Sequence, residues 1–122
     1  MPFIMSAQSD LLADYQWKSR VILLFAPEES NANYKAQQEI IRSNKLEYED
    51  RDLVVLSFIL GNRKGQLVRE EFNIKDKIFT YILIGKDGYE KLTTNKVVPS
   101  KDLFKLIDSM PMRIGEMKRK KK

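Results

Sequence analysis

Phe79-Thr80-Tyr81-Ile82-Leu83-Ile84, followed by Gly85-Lys86-Asp87-Gly88, is the stretch that decides the fold. Six β-prone residues run into a turn that contains Asp-Gly, and Tyr89-Glu90-Lys91-Leu92-Thr93 then leaves in the opposite direction. Asp and Gly tolerate the positive φ angles of a tight turn, so the pattern predicts a β-hairpin. Because the first strand is apolar on both faces apart from Thr80, we expect it to lie inside a sheet that is covered on both sides.

The residues before the hairpin predict a strand, a helix and a second strand. Val21–Ala26 is a continuous apolar run typical of a central strand, and Leu53–Phe58 is another. Between them, Ser30 and Asn31 offer capping oxygens for a helix that should reach about Asn44. A strand-helix-strand order implies a parallel pair joined by a right-handed crossover. The helix residues expected to face inward are Tyr34, Ala36, Gln37, Ile40 and Ile41.

The remaining elements complete a recognisable order. Residues 47–52 are expected to be a polar approach to the second strand, residues 61–65 a loop, and residues 66–72 a short helix. Pro99 and Ser100 open a last helix, which Pro111 interrupts before a short turn. The order β-α-β, short helix, β-β-α is that of an α/β, thioredoxin-like domain, with a four-stranded mixed sheet and helices on both faces. We expect one such domain over residues 1–117 and a basic disordered tail over residues 118–122.

The net charge of +5 is located in that tail. Five of the 22 basic residues are Lys118-Arg119-Lys120-Lys121-Lys122, and the remaining basic residues equal the 17 acidic ones in number. The body of the protein is therefore neutral. A basic run of this kind is more often solvated than used to bind nucleic acid, so nucleic acid is not an expected partner.

The chain contains no cysteine and no histidine. This composition excludes disulfides, thiolate nucleophiles, zinc sites of the usual Cys/His kind and Ser-His-Asp catalysis. Acid–base chemistry near neutral pH would require a carboxylate or a lysine with a strongly shifted pKa. We therefore expect no metal, no cofactor and no catalytic residue, and an enzyme is not the first interpretation.

No apolar run approaches the roughly 18 residues that would span a bilayer, so no transmembrane segment is predicted. Met1-Pro2-Phe3-Ile4-Met5 lacks the basic start and continuous apolar core of a signal peptide. As written, the chain is expected to be cytoplasmic. A truncated form of a periplasmic or secreted protein would look the same.

Several short segments together resemble one known family. They are Trp17-Lys18-x-Arg20, Phe25-Ala26-Pro27, Arg51-Asp52-Leu53-Val54, Ile84-Gly85-Lys86-Asp87-Gly88 and Ile107-Asp108-Ser109-Met110-Pro111-Met112-Arg113-x-x-Glu116-Met117. The family is the domain of unknown function 4174 family, also called P-DUDES, which has stand-alone bacterial members and occurs in animal extracellular proteins such as Equarin and the Sushi-repeat proteins. The resemblance covers about residues 11 to 117. It implies a thioredoxin-like fold, and the family has no settled biochemical function.

The place of the redox centre in true thioredoxins is altered here. Thioredoxins carry Cys-x-x-Cys between the first strand and the first helix, where this chain has residues 26–31, Ala-Pro-Glu-Glu-Ser-Asn. Disulfide exchange is therefore excluded, and Glu28 and Glu29 would repel an anion at the start of the helix. The acidic residues 49, 50 and 52 lack the spacing of a calcium loop, and residues 61–65 lack the Gly-Lys-Ser/Thr of a nucleotide-binding loop.

The polar and aromatic residues of the family-like segments form a candidate recognition surface, which consists of Trp17, Lys18, Arg20, Arg51, Asp52, Arg113 and Glu116. Two interpretations are open. In the first, which we favour, the arginines pair with Asp52, Asp108 or Glu116 and join the strand starts to the C-terminal turn. In the second, these residues recognise a protein or a small acidic ligand.

Two functions follow for this sequence. The first is a non-redox thioredoxin-like binding module, with a protein, a small acidic ligand or a second copy of the chain as partner. The alternative is an enzyme of unknown reaction, derived from peroxiredoxin-like or thioredoxin-like relatives, that uses carboxylate and Arg/Lys residues. Clustering of these side chains in an open cleft with shifted pKa values favours the enzyme, and full mutual pairing favours the module.

Overall fold

The computed structural model describes residues 12–61, 63–75 and 77–120, without the side chains of residues 63 and 64. Residues 1–11 of the expected domain and residues 121 and 122 of the expected tail lie outside the described residues. Over the described part of the chain, no helix is long and apolar enough to cross a membrane.

Within these ranges the chain forms one four-stranded mixed sheet. The strands are β1 (Arg20–Ala26), β2 (Leu53–Ile59), β3 (Thr80–Ile84) and β4 (Glu90–Thr94), and their order across the sheet is β2-β1-β3-β4. β1 pairs with β2 in parallel and with β3 antiparallel, and β3 pairs with β4 antiparallel. The predicted mixed sheet and the parallel pair are confirmed.

The predicted hairpin is confirmed as β3 and β4. Every residue of β3 is buried, as its apolar composition on both faces requires. In the turn, Gly88 has a φ of 87°, and the N–H of Gly85 donates to the carbonyl of Tyr89 at 2.9 Å. A positive φ at this position suits glycine, which has no Cβ to clash with the backbone.

The first helix, α1 (Ala32–Ser43), begins where the capping residues predicted it. The Oδ1 atom of Asn31 accepts a hydrogen bond from the N–H of Tyr34 at 3.0 Å. Tyr34 and Gln37 are buried as expected, and Gln37 exchanges two hydrogen bonds with the backbone of Val98. The inward position predicted for Ala36 is wrong, because this residue is exposed.

Two short helices flank β2, and the sequence pattern missed part of each. Residues 47–52, predicted to be a polar approach, belong largely to α2 (Lys45–Asp50), whose buried residue is Tyr48. The predicted loop over residues 61–65 is shorter than expected, because α3 (Arg63–Phe72) begins at Arg63. Asn73 follows α3 with a φ of 58°, a left-handed conformation that asparagine tolerates better than most residues.

The C-terminal part of the chain forms α4 (Ser100–Asp108) and α5 (Pro111–Lys120). α4 starts where Pro99 and Ser100 predicted, and Leu103 and Ile107 are its buried residues. α5 is a full helix rather than a short turn. The expected disorder of the tail is wrong for residues 118–120, because they form the last turn of α5.

The core has two halves, one on each face of the sheet, because alternate residues of a strand point to opposite faces. Ile22 and Leu24 of β1 pack in one cluster with Leu83 of β3, and this cluster also contains Tyr34 of α1 and Leu103 and Ile107 of α4. Leu23 of β1 packs on the other face, with Val68 of α3. The central strands are thus covered on both sides by apolar residues. A site made of polar side chains is therefore expected at the ends of the sheet.

Candidate functional site

Charged side chains converge where the start of β1, the start of β2, the hairpin turn and α5 meet. Together they form a continuous ion-pair network of five cations and four carboxylates. The members of this ion-pair network are Arg20, Asp50, Arg51, Asp52, Lys86, Asp108, Arg113, Glu116 and Lys120.

Glu116 occupies the centre of the ion-pair network. Its two carboxylate oxygens accept hydrogen bonds from the two terminal nitrogens of Arg20, each at 3.2 Å. Lys86 Nζ donates to Oε2 of the same carboxylate at 2.6 Å, and Arg113 Nη1 lies 3.7 Å from Oε1. The side chain of Arg20 is 1% exposed and those of Lys86 and Glu116 are 9% exposed. Charges buried to this extent must be paired, since an unpaired one is very costly.

Lys86 connects this centre to β2 and to the N-terminal part of the chain. Its Nζ atom also donates to Oδ2 of Asp52 at 2.8 Å. Its carbonyl accepts a hydrogen bond of 2.6 Å from the N–H of Trp17. One residue of the hairpin turn therefore holds the segments before β1 and before β2 in place.

A second cluster surrounds Asp108 at the end of α4. Arg51 donates from Nε and Nη2 to the two oxygens of Asp108, at 3.1 and 2.8 Å, in the forked geometry that arginine prefers with carboxylates. Arg113 Nε donates to the same carboxylate at 3.0 Å. The guanidinium of Arg51 also stacks on Phe104, with its central carbon 3.9 Å from the ring centroid.

Asp50 fixes α5 to the end of α2. Its Oδ2 atom accepts from Arg113 Nη2 at 2.7 Å, and its Oδ1 atom accepts from Lys120 Nζ at 2.8 Å. Both cations also donate to the carbonyl of Asp50. Of the basic residues at the end of α5, Lys120 therefore contacts the end of α2.

The carboxylates of the ion-pair network are held in the ionised form. Hydrogen bonds from Lys120 and Arg113 lower the pKa of Asp50 to about 2. Burial favours the neutral form of Glu116, but hydrogen bonds from Lys86 and Arg20 outweigh it and lower the pKa. The pKa of Asp108 is lowered in the same way, since its two arginines outweigh the effect of burial. A general acid or base for neutral pH needs a shift in the opposite direction.

The structure brings together part of the predicted recognition surface. Arg20, Arg51, Asp52, Arg113 and Glu116 all belong to the ion-pair network, and Asp108 is paired with arginine as the sequence suggested. Trp17 and Lys18 are exposed beside it.

Sequence reasoning missed three members of the ion-pair network, Asp50, Lys86 and Lys120. Lys86 lies inside the family-like segment at residues 84–88, which was the available signal for it. Asp50 had been considered with Glu49 and Asp52 as an acidic set. In the described ranges, no group of His, Cys, Asp and Glu is arranged to hold a metal ion.

Trp17 lies next to the hairpin turn and is 63% exposed. Its φ of 68° is left-handed, which is uncommon for a residue with a bulky side chain. The neighbouring Gln16 donates from Nε2 to the carbonyl of Asp87 at 2.9 Å, and Tyr89 directly after the turn is also exposed. We call Gln16, Trp17, Lys18 and turn residues 85–89 the Trp17 surface.

Solved structures share the fold of this chain. The reduced 2-Cys peroxiredoxin of Plasmodium vivax superposes with a TM-score of 0.66 at 12% identity, over 85% of this chain and 84% of that one. Thioredoxin peroxidase I of Plasmodium yoelii gives 0.65 at 14% identity, over 85% and 79%. A DsbF homologue from Corynebacterium diphtheriae gives 0.54 at 17% identity, over 81% and 76%. At such identities the likeness shows the thioredoxin-like fold.

The sequence comparisons give the family. No curated protein sequence matches the chain. Residues 11–116 match the family described as Domain of unknown function (DUF4174), a span that includes the members of the ion-pair network up to Glu116. The chain is therefore a member of the DUF4174 family, with a thioredoxin-like fold.

Proposed function

We propose that this domain is a non-redox binding module that holds a protein partner through the Trp17 surface. The observation that carries the proposal is the conformation of Trp17, an exposed indole on a left-handed backbone. The ion-pair network then serves as the rigid base from which this surface projects.

The cost of the Trp17 conformation supports this role. A non-glycine residue in a sparsely populated backbone region costs about 1–3 kcal/mol, and such residues cluster at binding and active sites. The indole is too exposed to contribute much to the core of its own fold, so its burial cannot offset that cost. The hydrogen bond from Trp17 N–H to the Lys86 carbonyl holds the strained residue in place. Tryptophan is also among the residues that contribute most to protein–protein affinity.

The state of the charged residues favours binding over acid–base chemistry. The carboxylates of Asp50, Asp108 and Glu116 are each paired with two or three cations and have lowered pKa values. Groups in this state carry a fixed negative charge at neutral pH and transfer no protons there. Their role in the proposal is to position the chain segments on which Trp17 and Lys18 lie.

The residues after β1 support the non-redox part of the proposal. The chain has no cysteine, and the segment between β1 and α1 presents exposed Glu28 and Glu29. A thiolate mechanism needs a cysteine thiol, and this chain has no cysteine. The purified, metal-free protein should reduce insulin disulfides and consume hydrogen peroxide no faster than buffer. Repeated turnover of either substrate would overturn the non-redox assignment.

The binding proposal is tested by partner capture with matched variants. A photo-reactive aromatic residue at position 17 should crosslink a protein from a cell extract. In a separate pull-down, Trp17→Ala bait should capture at least about tenfold less of that protein than wild-type bait does. Ile78→Ala is the control, because Ile78 is an exposed apolar residue at the opposite end of β3 from the hairpin turn. Equal capture by the Trp17→Ala and wild-type baits, with both folded by circular dichroism, would refute the assigned surface.

A further inference from the structure

β2 lies at an edge of the sheet, and its outer side has no strand beside it within the described ranges. Its seven residues, Leu-Val-Val-Leu-Ser-Phe-Ile, include no charged residue and no proline. Proteins normally protect such an edge with lysine, proline, a bulge or a very short strand, because an exposed apolar edge pairs with other strands. The opposite edge strand, β4, is protected in this way by Glu90, Lys91 and an irregular register.

Backbone hydrogen bonds define which groups of β2 point away from the sheet. The carbonyl of Asp52 accepts from Arg20 N–H at 2.9 Å, and the N–H of Leu60 donates to Ala26 at 3.0 Å. In a parallel ladder, alternate residues of one strand bond to the same neighbour. The even-numbered residues between Asp52 and Leu60 therefore face β1. The outward N–H and C=O groups belong to Leu53, Val55, Ser57 and Ile59.

We infer that the outer edge of β2 pairs with β2 of a second copy of this chain, antiparallel and about a two-fold axis near Leu56. A two-fold arrangement is self-complementary, because each outward N–H of one β2 meets an outward C=O of β2 in the other copy. Pairing centred on Leu56 places Val55 opposite Ser57 of the other copy. The result is one continuous eight-stranded sheet. This inference is independent of the Trp17 surface.

The apolar surface around β2 suits such a contact. Leu46 on α2, Leu60 directly after β2 and Leu67 on α3 are all exposed, and both helices pack against β2. A stable interface usually buries about 800 Å² per partner, which is more than the edge of a seven-residue strand provides. The three leucines supply further apolar area on the elements that border the strand.

Charge favours a second β2 over the other exposed strand. β2 carries no charged residue along its length, so two copies of it meet without repulsion between like charges. Pairing of β2 with β4 would place an uncharged strand against Glu90 and Lys91 and would produce an open-ended filament instead of a closed dimer.

The test is the solution mass of the whole chain, which is 14.3 kDa for one copy. Light scattering after size exclusion should give twice this mass at micromolar concentrations. Ser57→Pro should weaken the dimer about tenfold or more, because proline removes an outward N–H while leaving the ladder to β1 intact. Ser57→Thr keeps the N–H and should dimerise like the wild type. A monomeric wild type, or a Ser57→Pro protein that dimerises equally well, would overturn the inference.

Two further measurements distinguish pairing of two β2 edges from misfolding, and from pairing of β2 with another segment of the chain or with a different protein. Ser57→Lys keeps the backbone donor at an exposed position but adds a charge to the edge, so it should also produce a folded monomer. Amide exchange at Val55 and Ile59 should slow as protein concentration rises. Slow exchange that does not change with concentration would mean that another part of the same chain covers the edge. Rapid exchange at all concentrations would mean that the edge stays unpaired in the pure protein and is open to a strand of a different protein. Either result would overturn the inference.

Discussion

Replacing Glu116 by glutamine removes the central charge of the ion-pair network while keeping the shape of the side chain. In the wild type, Glu116 accepts two hydrogen bonds from Arg20 and one from Lys86. After Glu116→Gln, these two cations remain almost fully buried beside an uncharged amide. The perturbation therefore measures what the pairing contributes to the folded state.

The expected loss is about 3 kcal/mol of unfolding free energy. Removing one partner of a buried ion pair costs about 3–5 kcal/mol, since the other charge stays buried. The lower end applies because Arg20 keeps its hydrogen bond to the carbonyl of Arg51 and Lys86 keeps its contact with Asp52. For a chain of this length, 1 kcal/mol corresponds to roughly 3–4 °C in melting temperature, so Tm should fall by about 10 °C.

Urea unfolding and thermal melts at pH 7 test this value. Glu39→Gln is the matched control, because Glu39 pairs with Arg42 on the exposed face of α1 and should change stability by less than about 0.5 kcal/mol. If Glu116→Gln also stayed within about 0.5 kcal/mol of the wild type, the argument that the ion-pair network holds the fold together would be refuted.

The same pair of proteins gives a distinctive pH dependence. The folded-state pKa of Glu116 is lowered from its ordinary value of 4.5, so its stabilising effect is present above that pH and is lost as pH falls through the lowered pKa. A protonated Glu116 resembles glutamine. The stability difference between wild type and Glu116→Gln should therefore shrink below about pH 4.5. A difference that stayed constant down to acid unfolding would contradict the assigned pairing.

Four other predictions follow from single residues. Asp50→Asn should cost less than about 1 kcal/mol, since the carboxylate is half exposed, and this cost should disappear as pH falls from 3.8 towards 2. Trp17→Gly should be more stable than Trp17→Ala by about 1 kcal/mol in urea unfolding, because glycine accepts the left-handed backbone, and the reverse order would contradict the strain. Tyr81→Phe should stabilise the protein by about 1 kcal/mol, because no described group pairs with this buried hydroxyl. Tyr48→Phe should destabilise it by a similar amount, since Tyr48 is hydrogen-bonded to Ser100, and equal signs for the two tyrosine variants would refute this distinction.

The fold was predictable where local patterns agree with the burial of an element. The strands β1, β2 and β3 are runs of apolar residues, and the Asp-Gly turn and the Asn31 cap are local signals. α2 was missed because its charged residues gave only one buried position, Tyr48, and a six-residue helix shows too little periodicity. The last turn of α5 was missed because a basic run gives no local helix signal, and the partner of Lys120, Asp50, lies 70 residues away.

The candidate site was predictable in composition but not in connectivity. Residues of the family-like segments gave six members of the ion-pair network, with Asp108 as an arginine partner, and Trp17. Nothing local says that Arg20 meets Glu116, because 96 residues separate them and the tertiary fold alone brings them together. The left-handed conformation of Trp17 was equally hidden, since tryptophan in a sequence does not signal a positive φ.

The pairing of Arg20 with Glu116 also constrains how this domain is made. Synthesis proceeds from the N-terminus, so β1 and the hairpin leave the ribosome before α5 does. Until residue 116 has emerged, Arg20 and Lys86 lack their shared counter-ion and cannot be buried at low cost. A nascent chain that stops short of Glu116 should therefore remain open to proteases and chaperones, and stable folding should begin only when α5 is free to dock.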